Sequence, residues 1–236
     1  MSAFSLLAGL GAALGLSWSV WETSPERRWT VVEAGLWSLL GALLGGRAAY
    51  VWVNWEYFQA HIRQALQPQL GGLAWPGALA GGLLALAVYC AVSRADLGTL
   101  ADELTPLLGV LTGSLWLGCW LDGIAYGAPA PSAIFPPSQD EWGRLEQRWP
   151  VQLIGAGLTA LWFWLINQLS DKARPGLRGS LGLLGLALVL LFLSPQRADP
   201  GLEWYGLRLD AWIAAAFAGL ALASLLIFEF RRKKPR

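Results

Sequence analysis

The sequence predicts an all-α integral membrane protein with seven transmembrane helices. Hydrophobic residues make up 55% of the 236 residues and charged residues only 14%, a balance that ordinary soluble domains do not show. The chain also contains 15 Trp and 28 Gly, two residue types that are favoured in or beside membrane helices. Because the net charge is only +1 and the basic residues fall at predicted membrane edges, no nucleic-acid partner is expected.

Seven apolar runs approach the length of about 20 residues that crosses a bilayer. They are residues 3–21, 29–53, 73–92, 104–126, 150–169, 179–194 and 211–228. The first run is interpreted as a retained helix, because no basic residues precede it and it lacks a small-x-small cleavage site. We find no internal repeat, so residues 1–236 are expected to form a single membrane domain.

The distribution of Lys and Arg predicts the orientation of the chain. With seven spans, 11 basic residues, including every Lys, lie on the side of the C-terminal RRKKPR tail. Five lie on the opposite side, and the remaining one of the 17 is Arg47, within a span. The positive-inside rule therefore places the C-terminus in the cytoplasm and the N-terminus outside.

Three longer connections are then expected on the external side. Residues 127–149 are Pro-rich and then charged, which is typical of a loop with one short helix, and residues 195–210 have the aromatic content of an interfacial loop. In residues 54–69, apolar side chains recur at helical spacing among polar ones: Trp55, Phe58, Ile62, Ala65 and Leu66. That pattern predicts an amphipathic helix lying in the outer interface.

Charged residues within the predicted spans are few, and two of them lie at similar depth in the outer leaflet. Glu33 lies close to the cytoplasmic end of its span and is expected to snorkel to the interface. Arg47 and Asp122 lie deeper, where an unpaired charge is costly, so a mutual ion pair is expected. Gln152 and Arg197, at the external ends of their spans, would complete a polar pocket with excess positive charge, suited to an anionic headgroup. The alternative is a purely structural Arg–Asp pair that fixes helix packing.

No familiar catalytic or metal-binding pattern accompanies these residues. The chain has one histidine, His61, in the predicted interfacial helix, where a solvated side chain is the usual role. Both cysteines, Cys90 and Cys119, sit in apolar runs and are interpreted as small buried hydrophobic residues. The sequence contains no Walker or HExxH pattern, and its acidic residues are scattered. We therefore predict no cofactor and no metal.

Four segments carry motifs of a known family: GGRAAYVWVNWEYF (45–58), GGLAWPGALAGG (71–82), RWPVQLI (148–154) and RADP (197–200). Together they resemble the prolipoprotein diacylglyceryl transferase family, which moves a diacylglyceryl group from phosphatidylglycerol to a lipobox cysteine. GGRAAYVWVNWEYF (45–58) resembles that family's second span and the arm after it. GGLAWPGALAGG (71–82) resembles its GG-hydrophobic-S-F-H-G-G segment, and RWPVQLI (148–154) resembles its R-H-P-S-Q-L-Y segment. RADP (197–200) resembles its F-F-R-x-P-D segment. The resemblance extends over nearly the whole chain and implies a seven-span fold with the N-terminus outside.

The family signature, G-R-x-[GA]-N-F-hydrophobic-N-x-E-x-x-G, falls on LWLGCWLDGIAYG (115–127). Asp122 stands where the second Asn is expected, and three residues match: Gly118, Leu121 and Gly127. Five polar family positions are replaced: Arg by Trp116, the first Asn by Cys119, Glu by Ile124, the His of the H-G-G segment by Pro76, and the Tyr after Q-L by Ile154. The polar residues that remain are Arg47, Gln152 and Arg197.

The resemblance and its departures together imply a lipid-binding protein that has lost the family chemistry. Transfer to a thiol needs a base and a cation for the departing glycerol phosphate, and the replaced positions supply neither. We expect a non-catalytic lipid-binding or assembly subunit of the bacterial inner membrane that binds a phosphatidylglycerol-like phospholipid through Arg47, Asp122, Gln152 and Arg197. One alternative is an active, divergent transferase acting on a lipoprotein precursor. Another is a purely structural subunit of a larger membrane complex.

Overall fold

The computed structural model describes residues 2–67, 71–130, 134–169 and 174–233. Ten α-helices cover most of these residues: α1 Ala3–Glu22, α2 Arg28–Val53, α3 Trp55–Phe58, α4 Ile62–Ala65, α5 Trp75–Ser93, α6 Leu97–Glu103, α7 Thr105–Leu121, α8 Val151–Leu169, α9 Leu177–Leu193 and α10 Leu209–Lys233. Two small antiparallel hairpins pair β1 Pro137–Gln139 with β2 Leu145–Gln147, and β3 Glu203–Trp204 with β4 Leu207–Arg208.

Among the described residues, five helices are long and apolar enough to cross a membrane: α1, α2, α5, α9 and α10. A sixth candidate is the pair α6–α7, which is bent by 46°. The 19-residue α8 carries Gln152, Asn167 and Gln168 near its ends and is not in this set. The structure thus confirms a mostly helical membrane protein, while seven spans and the orientation stay predictions. Lys172 and the last three residues of the basic tail lie outside the described ranges.

The helices form two compact units, Ser24–Leu100 and the combination of Met1–Thr23 with Ala101–Arg236. In the first of these, α2 packs along α5 through small residues facing one another. A Cβ on Gly45 would overlap the carbonyl oxygen of Gly77, and a Cβ on Gly81 would overlap that of Gly41. Backbone-to-backbone contact of this kind is how small-xxx-small sequences join helices in membranes.

In the second unit, α1 packs on α7, α7 on α8, α8 on α9, and α9 on α10. The α1–α7 pair is close because Gly11 and Gly15 face Ser114 and Leu107, leaving no room for a Cβ. The buried Ser19 hydroxyl accepts a hydrogen bond from the Leu107 N–H at 3.2 Å, in the first turn of α7. This bond satisfies one of the N–H groups that a helix start leaves without a backbone partner.

Helix α7 ends five residues before the predicted end of the fourth span. The backbone after Leu121 turns through Gly123 with φ of 65° and Ala125 with φ of 56°. Such left-handed conformations cannot continue an α-helix. The segment 122–127 is therefore a folded connection, and not the last turn of a helix.

The external connections also differ from their predictions. Residues 54–67 form two four-residue helices broken at His61 instead of one amphipathic helix, and residues 68 and 69 lie outside the described ranges. Phe58 is buried at 4% exposure, so it does not share an exposed face with Ile62 and Leu66. In 127–149 the predicted short helix is wrong: the charged stretch forms the β1–β2 hairpin, because Gly143, with φ of 77°, supplies its turn.

Candidate functional site

The segment 122–127, which follows α7, is where three of the four predicted site residues meet. Asp122 begins it, Gln152 bonds to the carbonyl oxygen of Ile124, and Arg197 forms a β-bridge with Gly127. The next backbone N–H, of Ala198, donates to the Tyr126 carbonyl oxygen at 2.8 Å. The sequence motifs that looked separate thus converge on one short piece of backbone.

The Asp122 carboxylate caps the first helix of the chain. Its Oδ1 accepts from the Ala3 N–H at 3.1 Å and its Oδ2 accepts from the Phe4 N–H at 2.9 Å. Both are first-turn N–H groups of α1, where the helix dipole also favours a negative charge. Asp122 therefore has a structural role that the sequence did not indicate, because the helix it caps lies more than a hundred residues away.

Gln152 is fully buried in the first turn of α8. Its Nε2 donates to the Ile124 carbonyl oxygen at 2.9 Å, which fixes the segment 122–127 against α8. Its Oε1 has no hydrogen-bond partner among the described residues. Gln152 thus holds the connection in place with one end of its amide.

Arg197 belongs to a compact cluster of four charges. Its Nε donates to Asp199 Oδ1 at 2.8 Å, its Nη2 to Asp199 Oδ2 at 2.5 Å and its Nη1 to Asp210 Oδ2 at 3.0 Å. Arg208 adds contacts of 3.5 Å to both carboxylates. Burial by itself would lower the pKa of Arg197, but the ion pairs with Asp199 and Asp210 raise it. With two arginines and two aspartates, the cluster carries no net charge.

A second arginine–aspartate pair, which the sequence analysis did not single out, stabilises the β1–β2 hairpin. Arg148 and Asp140 are 6% and 4% exposed, and Arg148 Nη2 lies 3.2 Å from the Asp140 carboxylate. The Arg148 guanidinium also lies over the Tyr126 ring at 4.9 Å, next to the segment 122–127. The signal available in the sequence was the opposite-charge run SQDEWGRLEQR, which does not reveal which pair is buried.

Arg47 lies in the Ser24–Leu100 unit and is buried at 8% exposure. Its guanidinium donates to four backbone carbonyl oxygens: Ala65 at 3.0 Å, Gln64 at 2.5 Å, Gly71 at 2.5 Å and Gly72 at 3.0 Å. These contacts tie α4 and the chain after it to α2. Arg47 has no carboxylate among its described partners, so its positive charge is solvated by dipoles and is not neutralised.

Five residues stand where the resemblance places polar family residues, and their surroundings differ. Trp116 is 7% exposed and its ring packs on Gly155, so close that a Cβ there would lie 2.5 Å from it. Ile154 packs against the buried hydrophobic cluster that contains Trp116, while Ile124 is 45% exposed. Cys119 is a half-buried thiol without a disulfide, and Pro76 occupies the first turn of α5.

His61, the one histidine, is exposed and stacks on Tyr57 with ring centroids 4.5 Å apart. Its Nδ1 lies 3.0 Å from the Tyr57 carbonyl oxygen. This is the geometry of a surface side chain, as the sequence analysis expected. Among the described residues, no group of three or more His, Cys, Asp and Glu side chains could hold a metal ion.

The fold and these buried charge clusters define a multi-pass helical membrane protein whose polar residues converge at helix ends. The chain belongs to the prolipoprotein diacylglyceryl transferase family, whose model matches residues 1–227. The resemblance that the motifs indicated is therefore confirmed at the level of the family. Because the relatives below are bacterial, the comparison also supports a bacterial membrane protein, while the inner membrane stays a prediction.

Curated relatives carry the name phosphatidylglycerol–prolipoprotein diacylglyceryl transferase. The protein of Thermosynechococcus vestitus is 28% identical over 217 residues, covering 81% of this chain and 77% of its own length. That of Bacillus licheniformis is 38% identical over 137 residues, covering 56% and 49%. That of Idiomarina loihiensis is 25% identical over 236 residues, covering 94% and 86%.

Proposed function

We propose that this chain binds an anionic phospholipid of the outer leaflet without transferring its diacylglyceryl group, and serves as a lipid-binding or assembly subunit. The observation that carries the proposal is the burial of Trp116 against Gly155, at the position that the resemblance aligns with the signature Arg. An indole cannot replace a guanidinium as a charged, forked donor to phosphate.

The buried residues that pack with Trp116 in its hydrophobic cluster support this view. Trp116 forms one buried cluster with four other residues: Ala125, Val151, Val189 and Leu193. A phosphate placed there would lose its hydration without gaining donors, which is strongly unfavourable. The cluster around Trp116 is therefore an unfavourable place for a phosphate group.

The family reaction also requires a base that converts the acceptor thiol to a thiolate. The positions aligned with the family's His and Tyr hold Pro76 and Ile154, and neither side chain can accept a proton. His61 is exposed and engaged with Tyr57, which gives no support to a catalytic role. Loss of either the base or the cation typically costs orders of magnitude in rate.

Arg47 is the residue proposed to hold the phospholipid headgroup. Four of its five N–H donors meet carbonyl oxygens, and the second N–H of Nη2 has no acceptor among the described residues. A buried guanidinium N–H can donate a charge-assisted hydrogen bond to an anionic oxygen. Arg47, Asp122, Gln152 and Arg197 stay the predicted phospholipid-binding residues, and among them Arg47 would supply the charge.

The test of the non-catalytic role is complementation of a bacterial strain depleted of its own diacylglyceryl transferase. We expect no growth when this chain is expressed and membrane-inserted, and growth with the Thermosynechococcus vestitus relative as the positive control. Purified protein incubated with phosphatidylglycerol and a lipobox peptide should likewise give no diacylglyceryl peptide by mass spectrometry. Growth, or modified peptide, would overturn the proposal in favour of an active, divergent transferase.

A substitution at Trp116 tests whether this position can still accept the family's arginine. If the apolar cluster excludes charge, Trp116→Arg should restore no transfer and should lower the thermal stability of the protein. Trp116→Phe, which keeps an apolar ring on Gly155, is the matched control and should remain folded. A stable Trp116→Arg variant that gains transferase activity would contradict the account of this position.

A further inference from the structure

The β3–β4 hairpin immediately before α10 is built with two chemically different faces. Its turn consists of Tyr205 and Gly206, with φ of 50° and 75°, the left-handed pair that two-residue hairpin turns require. Trp204 is paired directly opposite Leu207, and Glu203 is paired opposite Arg208. Because directly opposed residues of an antiparallel pair project to the same side, one face is apolar and the other is charged.

The apolar face and the turn are exposed, although they carry large hydrophobic side chains. The exposed fractions are 56% for Trp204, 83% for Tyr205 and 44% for Leu207, with Leu202 beside them at 58%. An exposed apolar patch of this kind marks a surface that contacts something other than water.

The aromatic side chains of this face are held as a rigid cluster with the first turn of α10. The Trp204 ring lies edge-on to Tyr205 at 5.0 Å and to Trp212 at 5.7 Å. The Trp212 Nε1–H donates to the Trp204 carbonyl oxygen at 3.0 Å. Since α10 is a candidate membrane span that begins at the residue after β4, the cluster lies where that span leaves the bilayer.

The arginine of the charged face, Arg208, is paired with oxygen atoms of the protein. The Arg208 Nη1 donates to the Asp199 carbonyl oxygen at 2.7 Å, and its Nη2 lies 3.5 Å from the Asp210 carboxylate. Together with Arg197 and the two aspartates, Arg208 belongs to a cluster without net charge, while Glu203 on the same face is exposed. The hairpin therefore has one apolar face and one polar face whose arginine is neutralised within the protein.

We propose that the β3–β4 hairpin lies in the headgroup layer of the membrane, with the Trp204–Leu207 face toward the lipid. Trp and Tyr are the residues that partition to this layer, because their rings are apolar and their N–H and O–H groups remain hydrated. The hairpin then fixes the depth of α10 and holds the Arg197 cluster at the membrane surface. This inference is independent of whether a phospholipid is bound at Arg47.

The test is a depth measurement by spin-label electron paramagnetic resonance on the full chain in nanodiscs of phosphatidylglycerol and phosphatidylcholine. Cys90→Ala and Cys119→Ala remove the native thiols, and a nitroxide is attached at Leu207→Cys. Collision rates with oxygen, which enriches in lipid, and with a water-soluble nickel chelate give the depth. We expect the oxygen-to-nickel ratio at this site to fall between those of a headgroup-labelled and an acyl-chain-labelled lipid.

The matched control is a label at Glu203→Cys, on the charged face of the same hairpin, where the ratio should shift toward the value in buffer. Adding Trp204→Asp to the Leu207→Cys variant should shift its ratio the same way, with thermal unfolding checked to confirm folding. A ratio at Leu207→Cys equal to that of free nitroxide in buffer would overturn the proposal. Equal ratios at the two labelled positions would overturn the assignment of the faces.

Discussion

Arg47 and Arg197 are both aligned with family arginines, yet their surroundings are opposite. Arg47 donates to four backbone carbonyl oxygens and retains its net positive charge. Arg197 forms three hydrogen bonds to Asp199 and Asp210 and belongs to a cluster without net charge. Carbonyl dipoles stabilise a cation without cancelling it, whereas carboxylates cancel it.

The difference shows that an arginine at a family position need not keep the role that the family arginine has. A guanidinium can bind an anionic headgroup only where its charge is available to the ligand. In this chain that condition favours Arg47, while Arg197 stabilises the connection between α9 and α10. The variants below separate the two roles, in order of the size of the expected effect.

Replacing Arg47 should have the largest effect, because it changes both stability and proposed ligand binding. Arg47→Met would leave four carbonyl oxygens without their donor, and hydrogen bonds to charged groups contribute about 1.5–3 kcal/mol each. We expect a loss of more than about 3 kcal/mol in unfolding free energy, since such losses are not fully additive. Thermal unfolding in detergent measures it, with Arg63→Met, at an exposed arginine of the same unit, as the control.

Replacing Arg197 should affect stability alone. Arg197→Met leaves two carboxylates facing Arg208, and breaking a buried ion pair from one side costs about 3–5 kcal/mol, an upper range here because the side chain is partly exposed. Adding Asp199→Asn should recover part of that loss, because it removes the uncompensated charge. If Arg197→Met weakens phosphatidylglycerol binding as much as a change at Arg47 does, the two arginines do not differ as described.

Asp122 tests whether a third of the predicted site residues is structural, like Arg197. Asp122→Ala removes the acceptor of the Ala3 and Phe4 N–H groups, while Ser2 still caps the Ser5 N–H. Loss of an N-terminal capping side chain costs about 0.5–2 kcal/mol. Asp122→Asn, which keeps one acceptor oxygen, should cost less. Unfolding of the two variants and of the parent protein gives the order. An unchanged stability of Asp122→Ala would show that the bonds from Asp122 to α1 contribute nothing.

Asp140 should show the smallest effect, and it appears only in acid. Burial by itself would raise the pKa of Asp140, but the N–H groups of Arg144 and Trp142 and the nearby guanidinium groups hold it below the ordinary value. A lowered pKa stabilises the folded hairpin above the unfolded pKa of about 3.9, and that contribution is lost as pH falls through the folded value. Asp140→Asn should flatten this acid dependence of the thermal midpoint, whereas Glu141→Gln, at an exposed position of the turn, should not.

Much of the helical framework was predictable, because apolar runs of membrane length leave few alternatives to helix. The first predicted span, 3–21, corresponds to α1, and 150–169 corresponds to α8 within a residue or two. The prediction failed after Leu121, where hydropathy continues but Gly123 and Ala125 adopt left-handed backbone conformations. Apolar composition alone does not reveal a turn that tertiary contacts stabilise.

The contacts of the candidate site differ from the expected ion pair between Arg47 and Asp122. Among the described residues, Arg47 donates to backbone carbonyl oxygens and Asp122 accepts from the α1 N–H groups, while their role in binding a ligand stays a prediction. Backbone partners carry no sequence signal, so they could not be anticipated. Asp199 and Asp210 were equally hidden, because acidic residues in loops are usually solvated.

The most direct test of the account is native mass spectrometry of the purified protein with phosphatidylglycerol and, separately, with phosphatidylcholine. The parent protein and Arg197→Gln should retain phosphatidylglycerol in preference to phosphatidylcholine, and Arg47→Gln should lose that preference while thermal unfolding shows that it is folded. Arg47→Lys, which keeps the charge, should retain part of it. A folded Arg47→Gln variant that retains phosphatidylglycerol as the parent does, or a parent protein with no bound lipid, would contradict the account.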